Sequence, residues 1–136
     1  MNGRTGLIES EDRWLLPYRD MQVIQIRVSC QLTLVLDGAQ VELENEAVLT
    51  DGPLTAPGVV PVRLDPACQD VVPALSLFGA KIRSAVAFKT GALWLVFDTG
   101  AHLNVNPDPQ YEAWNARGPG DLCLVCQPGG AIAVWT

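Results

Sequence analysis

The chain has 136 residues, of which 49% are hydrophobic and 18% charged, and its formal net charge is -6 at pH 7. This size and balance suit one compact core, so we predict a single domain over 1–136. An acidic chain obtains no binding energy from neutralising the phosphates of a nucleic acid, which argues against nucleic acid as a ligand. We also find no apolar run long enough for a membrane span and no apolar leader, so we expect a cytoplasmic protein.

The chain opens with an arm and a β-meander. Residues 1–20 mix charges with apolar anchors and a proline, a pattern typical of an irregular arm laid over a core. In 21–50, apolar residues alternate in VIQIRV, QLTLVL and AQVEL, and Asp37-Gly38 separates the last two runs. Alternation predicts half-buried strands, and Asp-Gly favours a tight hairpin turn. We therefore predict a three-stranded antiparallel meander.

The segment 51–80 begins as a loop rich in Pro and Gly, with a short edge strand near 60–64, and continues into a short helix. Asp65 and Pro66 predict the helix start, because Asp caps a first turn and Pro fits within it. We predict this helix over 66–78, shortened or kinked by a proline inside it. The expected buried positions are Val72, Leu75 and Phe78.

The meander pattern then returns in 81–106 as KIRSAVAF, ALWLVF and AHLNV, with Asp98-Thr99-Gly100 before the last run. If Thr99 is a single insertion, the two segments align position by position. The matched pairs are Leu32 with Leu93, Leu34 with Leu95, Leu36 with Phe97, Asp37 with Asp98, Gly38 with Gly100, and Val41 with Leu103. A meander of this size buries one face, so we predict two copies packed together as a sandwich, a barrel or one continuous sheet.

The last segment, 107–136, predicts a helical turn over 110–114 and a C-terminal hairpin. Asp108-Pro109 is typical of a capped first turn, and LCLVC and AIAVW flank the turn residues Pro-Gly-Gly. The fold class predicted from the whole chain is β-rich α+β: two related antiparallel meanders in one domain, one short helix and a C-terminal hairpin.

Several motifs of the second half resemble those of a known family. They are a D-G turn, an L-x-V-x-P strand end, a Y-E-A-W turn and a terminal P-G-G hairpin ending in Trp. The residues that carry them are Asp98, Gly100, Leu103, Val105, Pro107, Tyr111, Glu112, Ala113, Trp114, Gly118, Pro119, Pro128, Gly129, Gly130 and Trp135. The pattern covers 88–135 well and the first meander more loosely, and it resembles a family of small, uncharacterised actinobacterial proteins. The resemblance implies a shared fold and no established reaction, and it links the chain by association with immunity proteins of bacterial toxin systems.

The sequence predicts no catalytic residue, no metal site and no cofactor. Cys123 and Cys126 have CxxC spacing but lie in a predicted strand, where residues three apart point to opposite faces. The other two cysteines, Cys30 and Cys68, stand alone. The only histidine, His102, matches Gln40 of the first copy, and we interpret it as a polar residue on the wetter face of a strand.

The best candidates for a binding surface are Tyr111, Glu112 and Trp114, an acid between two amphipathic aromatics in a short connection. The alternative, which the spacing favours, is that both aromatics face inward from one helical turn and plug the open end of the β layer. Trp94 lies opposite its apolar neighbours and is predicted to be exposed. With His102, these side chains make five candidate binding residues.

Three hypotheses for the function follow. The leading one is a non-enzymatic protein-binding module, such as an immunity or accessory protein, that binds a basic partner. The second is a small-molecule binder or enzyme with a pocket between the two meanders, lined by Trp94, His102 or Tyr111. The third is a homo-oligomeric structural protein that pairs through a sheet edge or the Trp94 face.

Overall fold

The computed structural model describes residues 6–136. Strands dominate this part of the chain, with three short 3-10 helices between them. The strands are β1 (Ile8–Glu9), β2 (Arg13–Leu15), β3 (Val23–Val28), β4 (Leu32–Leu36), β5 (Gln40–Leu43), β6 (Ala47–Thr50), β7 (Val62–Leu64), β8 (Ile82–Phe88), β9 (Leu93–Phe97), β10 (His102–Val105), β11 (Trp114–Arg117), β12 (Cys123–Cys126) and β13 (Ile132–Trp135). The 3-10 helices are Pro66–Cys68, Val72–Leu77 and Pro119–Asp121. No helix in residues 6–136 has the length and apolar character to cross a bilayer.

The strands form two antiparallel sheets packed on each other. One has the order β1-β2-β8-β9-β10-β6-β7, and the other has the order β13-β12-β11-β5-β4-β3. The matched apolar residues of the two copies all belong to the single buried core. They are Leu32, Leu34 and Leu36 on β4, Val41 on β5, Leu93, Leu95 and Phe97 on β9, and Leu103 on β10. The predicted two-meander architecture is confirmed, and it takes the form of a sandwich.

The repeat extends over five strands in each copy. β6 follows the first meander but pairs with β10, and β11 follows the second meander but pairs with β5. β7 and β12 then add to β6 and β11. Each sheet therefore holds the meander of one copy and the last two strands of the other. The edge strand predicted near 60–64 is present as β7, but the exchange is not visible in the sequence because AVLT and WNAR, the strands that cross over, are too short to show alternation.

Asp37 and Asp98 have the same role in the two copies. The Oδ1 atom of Asp37 accepts a hydrogen bond from the backbone N–H of Gln22 at 3.0 Å, and that of Asp98 accepts one from Lys81 at 3.0 Å. Gln22 and Lys81 form an antiparallel bridge between the segments that lead into β3 and β8. The two carboxylates thus brace the corner where the sheets meet.

Removal of either carboxylate is expected to destabilise the protein by a similar amount. Asp37→Ala and Asp98→Ala each leave a backbone N–H without its acceptor, which should lower the free energy of unfolding by about 1 kcal/mol. Asp37→Asn keeps an acceptor oxygen and should retain most of the stability. Urea unfolding of the three variants measures the effect, and unchanged stability in both alanine variants would contradict the shared role.

The short helix predicted over 66–78 is present as two 3-10 helices, and its buried face differs from the prediction. Asp65 does cap the first one, accepting a hydrogen bond from the N–H of Ala67 at 3.2 Å. The predicted buried residues are each more than half exposed: Val72, Leu75 and Phe78. The buried residues are instead Val71, Ala74 and Leu77. A 3-10 helix has about three residues per turn, and both sets are spaced by three, so the spacing is as predicted but the inward face is shifted by one residue.

The two ends of the described chain both extend the sheets. Residues 8–15 of the predicted irregular arm form the hairpin β1–β2, which adds to β8 through Trp14 and its neighbours. These strands have only two and three residues, too few for alternation to reveal them. The first five residues of the arm lie outside the described residues. The C-terminal hairpin β12–β13 is found as predicted.

Candidate functional site

The structure places the five candidate binding residues in three locations. Trp114 lies in the core, Trp94 and His102 contact each other on the outer face of the seven-stranded sheet, and Tyr111 and Glu112 line an open cavity. The five residues therefore do not form one surface.

Trp114 is a core residue at the start of β11. It is fully buried, and its indole Nε1 donates a hydrogen bond to the backbone oxygen of Gly91 at 2.8 Å. Tyr111, three residues earlier, is 70% exposed. The predicted helical turn is absent: Asp108 accepts hydrogen bonds from the N–H groups of Gln110 and Tyr111, but no helix follows. In the non-helical chain the two aromatics face opposite ways, so the expectation that both face inward is wrong.

The CxxC pair lies in β12, as predicted. Cys126 is buried, and its Sγ contacts the backbone oxygen of Gly91 at 3.3 Å, whereas Cys123 is partly exposed. Burial raises the pKa of the Cys126 thiol, which favours the protonated thiol, the form that can donate a hydrogen bond to the Gly91 oxygen. Within residues 6–136 no cluster of three or more His, Cys, Asp or Glu side chains has the arrangement of a metal site.

His102 faces outward from β10, but Trp94 packs on it. The indole Nε1 of Trp94 donates a hydrogen bond to His102 Nδ1 at 3.0 Å, and the ring centroids are 5.7 Å apart. The predicted outer face is correct, but Trp94 covers the side chain, which is only 8% exposed. Burial lowers the pKa of His102, and only an unprotonated Nδ1 accepts this hydrogen bond. The imidazole therefore orients the Trp94 indole.

The acidic cavity, as we call it, has a volume of about 440 Å³ and lies where the β3–β4, β5–β6 and β10–β11 connections meet. Backbone hydrogen bonds from Glu44 and Asn45 to the oxygen of Ala113 join two of these connections. The lining residues are Cys30, Gln31, Glu44, Asn45, Asp108, Tyr111 and Glu112. Three of the seven are acids and none is basic.

The carboxylates of the acidic cavity are crowded. Burial, together with the negative charges of Glu112 and Glu42, raises the pKa of Glu44. The ion pairs of residues 6–136 involve other acids, so no Lys or Arg of the described chain neutralises Glu44 or Glu112. A cation supplied from outside would relieve this repulsion.

Comparison with protein families shows that residues 14–136 match the model of DUF6188, a family of unknown function. The chain belongs to the DUF6188 family. No curated protein and no solved structure matches it. All the residues that line the acidic cavity lie in the part of the chain that the DUF6188 model covers. The actinobacterial resemblance of the individual motifs stays a prediction.

The sequence points to two of the seven residues that line the acidic cavity in this DUF6188 chain. Tyr111 and Glu112 were candidates, but Glu44 was missed and Asp108 was interpreted only as a cap. The internal repeat contains the pattern that points to Glu44, because the connection after AQVEL and the connection after AHLNV follow equivalent strands. Extending the alignment beyond the meanders would have brought Glu44 and Glu112 to the same end of the sandwich.

Glu44→Gln is expected to stabilise the DUF6188 chain at neutral pH. The raised pKa of Glu44 means that its charged form is less favourable in the folded than in the unfolded protein, so its ionisation lowers stability as the pH rises above the ordinary glutamate range. The gain from the substitution should therefore be present at pH 7 and vanish in acid, where Glu44 is protonated in both states. Thermal unfolding across this pH range measures it, with Glu11→Gln as a control outside the cavity. A gain that persists unchanged in acid would contradict the electrostatic origin.

Proposed function

We propose that this chain is a non-enzymatic protein-binding module, an immunity or accessory protein of the cytoplasm, and that it binds a basic segment of a partner protein in the acidic cavity. The observation that carries this proposal is a set of un-neutralised carboxylates beside an exposed tyrosine. The net charge of -6 supports the same choice of partner, because it attracts basic proteins over long range.

The cavity offers two kinds of contact to a Lys or Arg side chain. Glu44 and Glu112 provide carboxylate oxygens for charge-assisted hydrogen bonds. Tyr111, which is 70% exposed, provides a ring face for a cation–π contact and a hydroxyl for a further hydrogen bond. Exposed tyrosines are enriched at protein interfaces for this combination of properties.

The two other hypotheses receive less support. The space between the meanders is occupied by the buried side chains of β4 and β9, and Trp94, His102 and Tyr111 all lie outside it. The hypothesis of a pocket between the meanders that these three residues line is therefore wrong. The third hypothesis, pairing of two copies through a sheet edge or the Trp94 face, does not involve the acidic cavity and stays a prediction.

Affinity capture from an extract of the native cells at moderate salt tests the proposal. Wild type is compared with Tyr111→Ala and with the double variant Glu44→Gln/Glu112→Gln. The control is Glu11→Gln/Asp20→Asn, which removes the same charge from outside the cavity. Wild type and control should retain one basic protein in a complex of defined mass, and both cavity variants should lose it.

Salt dependence gives a second readout of the same complex. Because the contact relies on charge, raising the ionic strength should release the partner from wild type. Equal retention of the partner by wild type and the cavity variants would contradict the proposed site. The absence of any stoichiometric protein partner would contradict the proposed function.

A further inference from the structure

The free edge of the six-stranded sheet, β3, differs from the equivalent strand of the other sheet. The internal repeat makes β3 equivalent to β8, because β3 pairs with β4 as β8 pairs with β9. The other side of β8 is covered by β2, which pairs with it in the antiparallel sense. In the part of the chain that the structure describes, no strand covers the other side of β3. One copy of the repeat therefore carries an added strand that the other copy lacks.

The backbone of β3 offers hydrogen-bonding groups to such a strand. Ile26 is equivalent to Ala85, because the two residues lie opposite the matched residues Leu34 and Leu95. The backbone oxygen of Ala85 accepts a hydrogen bond from the N–H of Leu16 at 3.0 Å. Within residues 6–136, Ile26 makes no backbone hydrogen bond beyond the β3–β4 pair. An antiparallel strand beside β3 would supply the missing partner.

Apolar side chains on β3 are exposed where their counterparts on β8 are covered. Ile24 and Val28 are 49% and 48% exposed, and Ile26 between them is only partly buried. The counterparts of Ile26 and Val28 are Ala85 and Ala87, which are buried. The core of one chain therefore explains only part of the apolar alternation in VIQIRV, and an exposed apolar row of this kind indicates a contact surface.

A second row of exposed apolar side chains lies beside β3. The segment between β7 and β8 contacts both ends of this strand. Gln69 Nε2 donates a hydrogen bond to the Ser29 oxygen at 3.0 Å, and the N–H of Gly79 donates one to the Val23 oxygen at 2.9 Å. Between these contacts lie the apolar residues that were predicted to be buried and are exposed in the single chain: Val72, Leu75 and Phe78. A strand added to β3 would lie next to them and bury part of this surface.

The sequence of β3 is complementary to itself in the antiparallel sense. With a two-fold axis at Ile26, this residue faces its own copy, and Ile24 faces Val28 of the second copy. On the other side of the strand, Gln25 faces Arg27 of the second copy, and these two side chains already hydrogen-bond within one chain at 3.2 Å. An axis at Arg27 would instead place two positive charges opposite each other, which is destabilising. Charge and apolar pattern therefore favour the axis at Ile26.

We propose that two copies of the chain pair through β3 in the antiparallel sense, about a two-fold axis at Ile26, and so join their six-stranded sheets into one. This contact uses the β3 edge of both copies, so assembly ends at a dimer. The strands at the other sheet edges are shorter: β1, β7 and β13 have two, three and four residues, whereas β3 has six. Ile24, Ile26 and Val28 do not line the acidic cavity, so the dimer and the basic partner are separate proposals.

Sedimentation velocity of the full chain at increasing concentration tests the dimer. We expect wild type to reach twice its mass of 14.7 kDa, with a dissociation constant of about 10 µM because the contact is small. Val28→Lys places a charge on the paired edge and should weaken the dimer by about tenfold or more. The control is Leu54→Lys, a change at an equally exposed leucine in the loop after β6, which should leave the dimer unchanged.

Salt dependence distinguishes this dimer from the complex with a basic partner. Each copy carries a net charge of -6, so screening should strengthen the dimer as the ionic strength rises, whereas it releases a basic protein. A dimer that dissociates at high salt would contradict pairing through the apolar edge.

Cysteine cross-linking tests the register. In a background with Cys30→Ser and Cys68→Ser, which removes the exposed thiols, Ile26→Cys should form a disulfide-linked dimer under mild oxidation. Opposed residues of a hydrogen-bonded antiparallel pair have Cα atoms about 5.5 Å apart, which suits a disulfide. The control is Ile132→Cys, on the edge strand β13 of the same sheet, which should form none. A monomeric wild type up to about 1 mM, equal dimerisation of Val28→Lys and wild type, or equal cross-linking at both positions would each overturn the proposal.

Discussion

A single methyl group added at Gly130 is expected to lower the free energy of unfolding by about 3 kcal/mol, whereas the same change at Gly129 should cost about 1 kcal/mol. Both glycines lie in the β12–β13 turn and both have positive φ, +104° for Gly130 and +87° for Gly129. A Cβ atom on Gly130 would lie 2.3 Å from the backbone oxygen of Thr90, while one on Gly129 would meet nothing within 4 Å. The pair therefore separates the cost of a clash from the cost of the backbone conformation.

The large loss of stability expected for Gly130→Ala arises because the β12–β13 turn packs against the β8–β9 turn of the other sheet. Gly91, in the β8–β9 turn, also lies against Gly130, because a Cβ atom on Gly91 would lie 2.6 Å from the Gly130 Cα. Denaturant unfolding of Gly130→Ala and Gly129→Ala in parallel measures the difference. If the two variants are equally stable, the close contact between the turns is not present in solution.

Replacement of Trp114 by alanine is expected to cost about 3–5 kcal/mol, and replacement of Tyr111 by alanine should change stability by less than about 0.5 kcal/mol. Trp114 is the larger of the two and fully buried, and its indole hydrogen-bonds the Gly91 oxygen. Tyr111 is mostly exposed and contributes a side chain to the acidic cavity.

Thermal and urea unfolding of the two alanine variants measures this contrast, and Trp114→Phe refines it. Phenylalanine retains most of the buried area but has no N–H, so its stability should fall between wild type and Trp114→Ala. Similar losses of stability for Tyr111→Ala and Trp114→Ala would contradict the opposite orientation of the two side chains and would indicate that Tyr111 is buried in the core.

The sequence was most informative where a local pattern has one structural meaning. Alternation in QLTLVL and ALWLVF specifies which residues face the core, and the Asp-Gly turns specify hairpins, so both meanders could be predicted. Which strand pairs with which at longer range is not encoded locally. The exchange of β6 and β11 between the copies follows from the packing of the whole sandwich, and no window of residues around Ala47 or Trp114 reveals it.

The candidate site was harder to predict because side-chain direction depends on the type of local structure. Tyr111 and Trp114 have the spacing of a helical pair, but the connection is not helical, so one side chain points outward. Val72, Leu75 and Phe78 have the same three-residue spacing as the inward residues of this 3-10 segment, so the spacing could not tell which of the two sets faces the core. His102 was expected to be solvated, and only the position of Trp94 across the strand pair shows that it is covered.

The measurement that tests the proposed binding site most directly is photo-cross-linking in the native cell, with p-benzoylphenylalanine in place of Tyr111. The control position is Phe78, another exposed aromatic, beside the start of β3, whereas the acidic cavity adjoins the end of that strand. We expect position 111 to yield a covalent adduct with one basic protein and position 78 to yield no adduct with that protein. No adduct at position 111, or the same adducts at both positions, would contradict a protein-binding role for the acidic cavity.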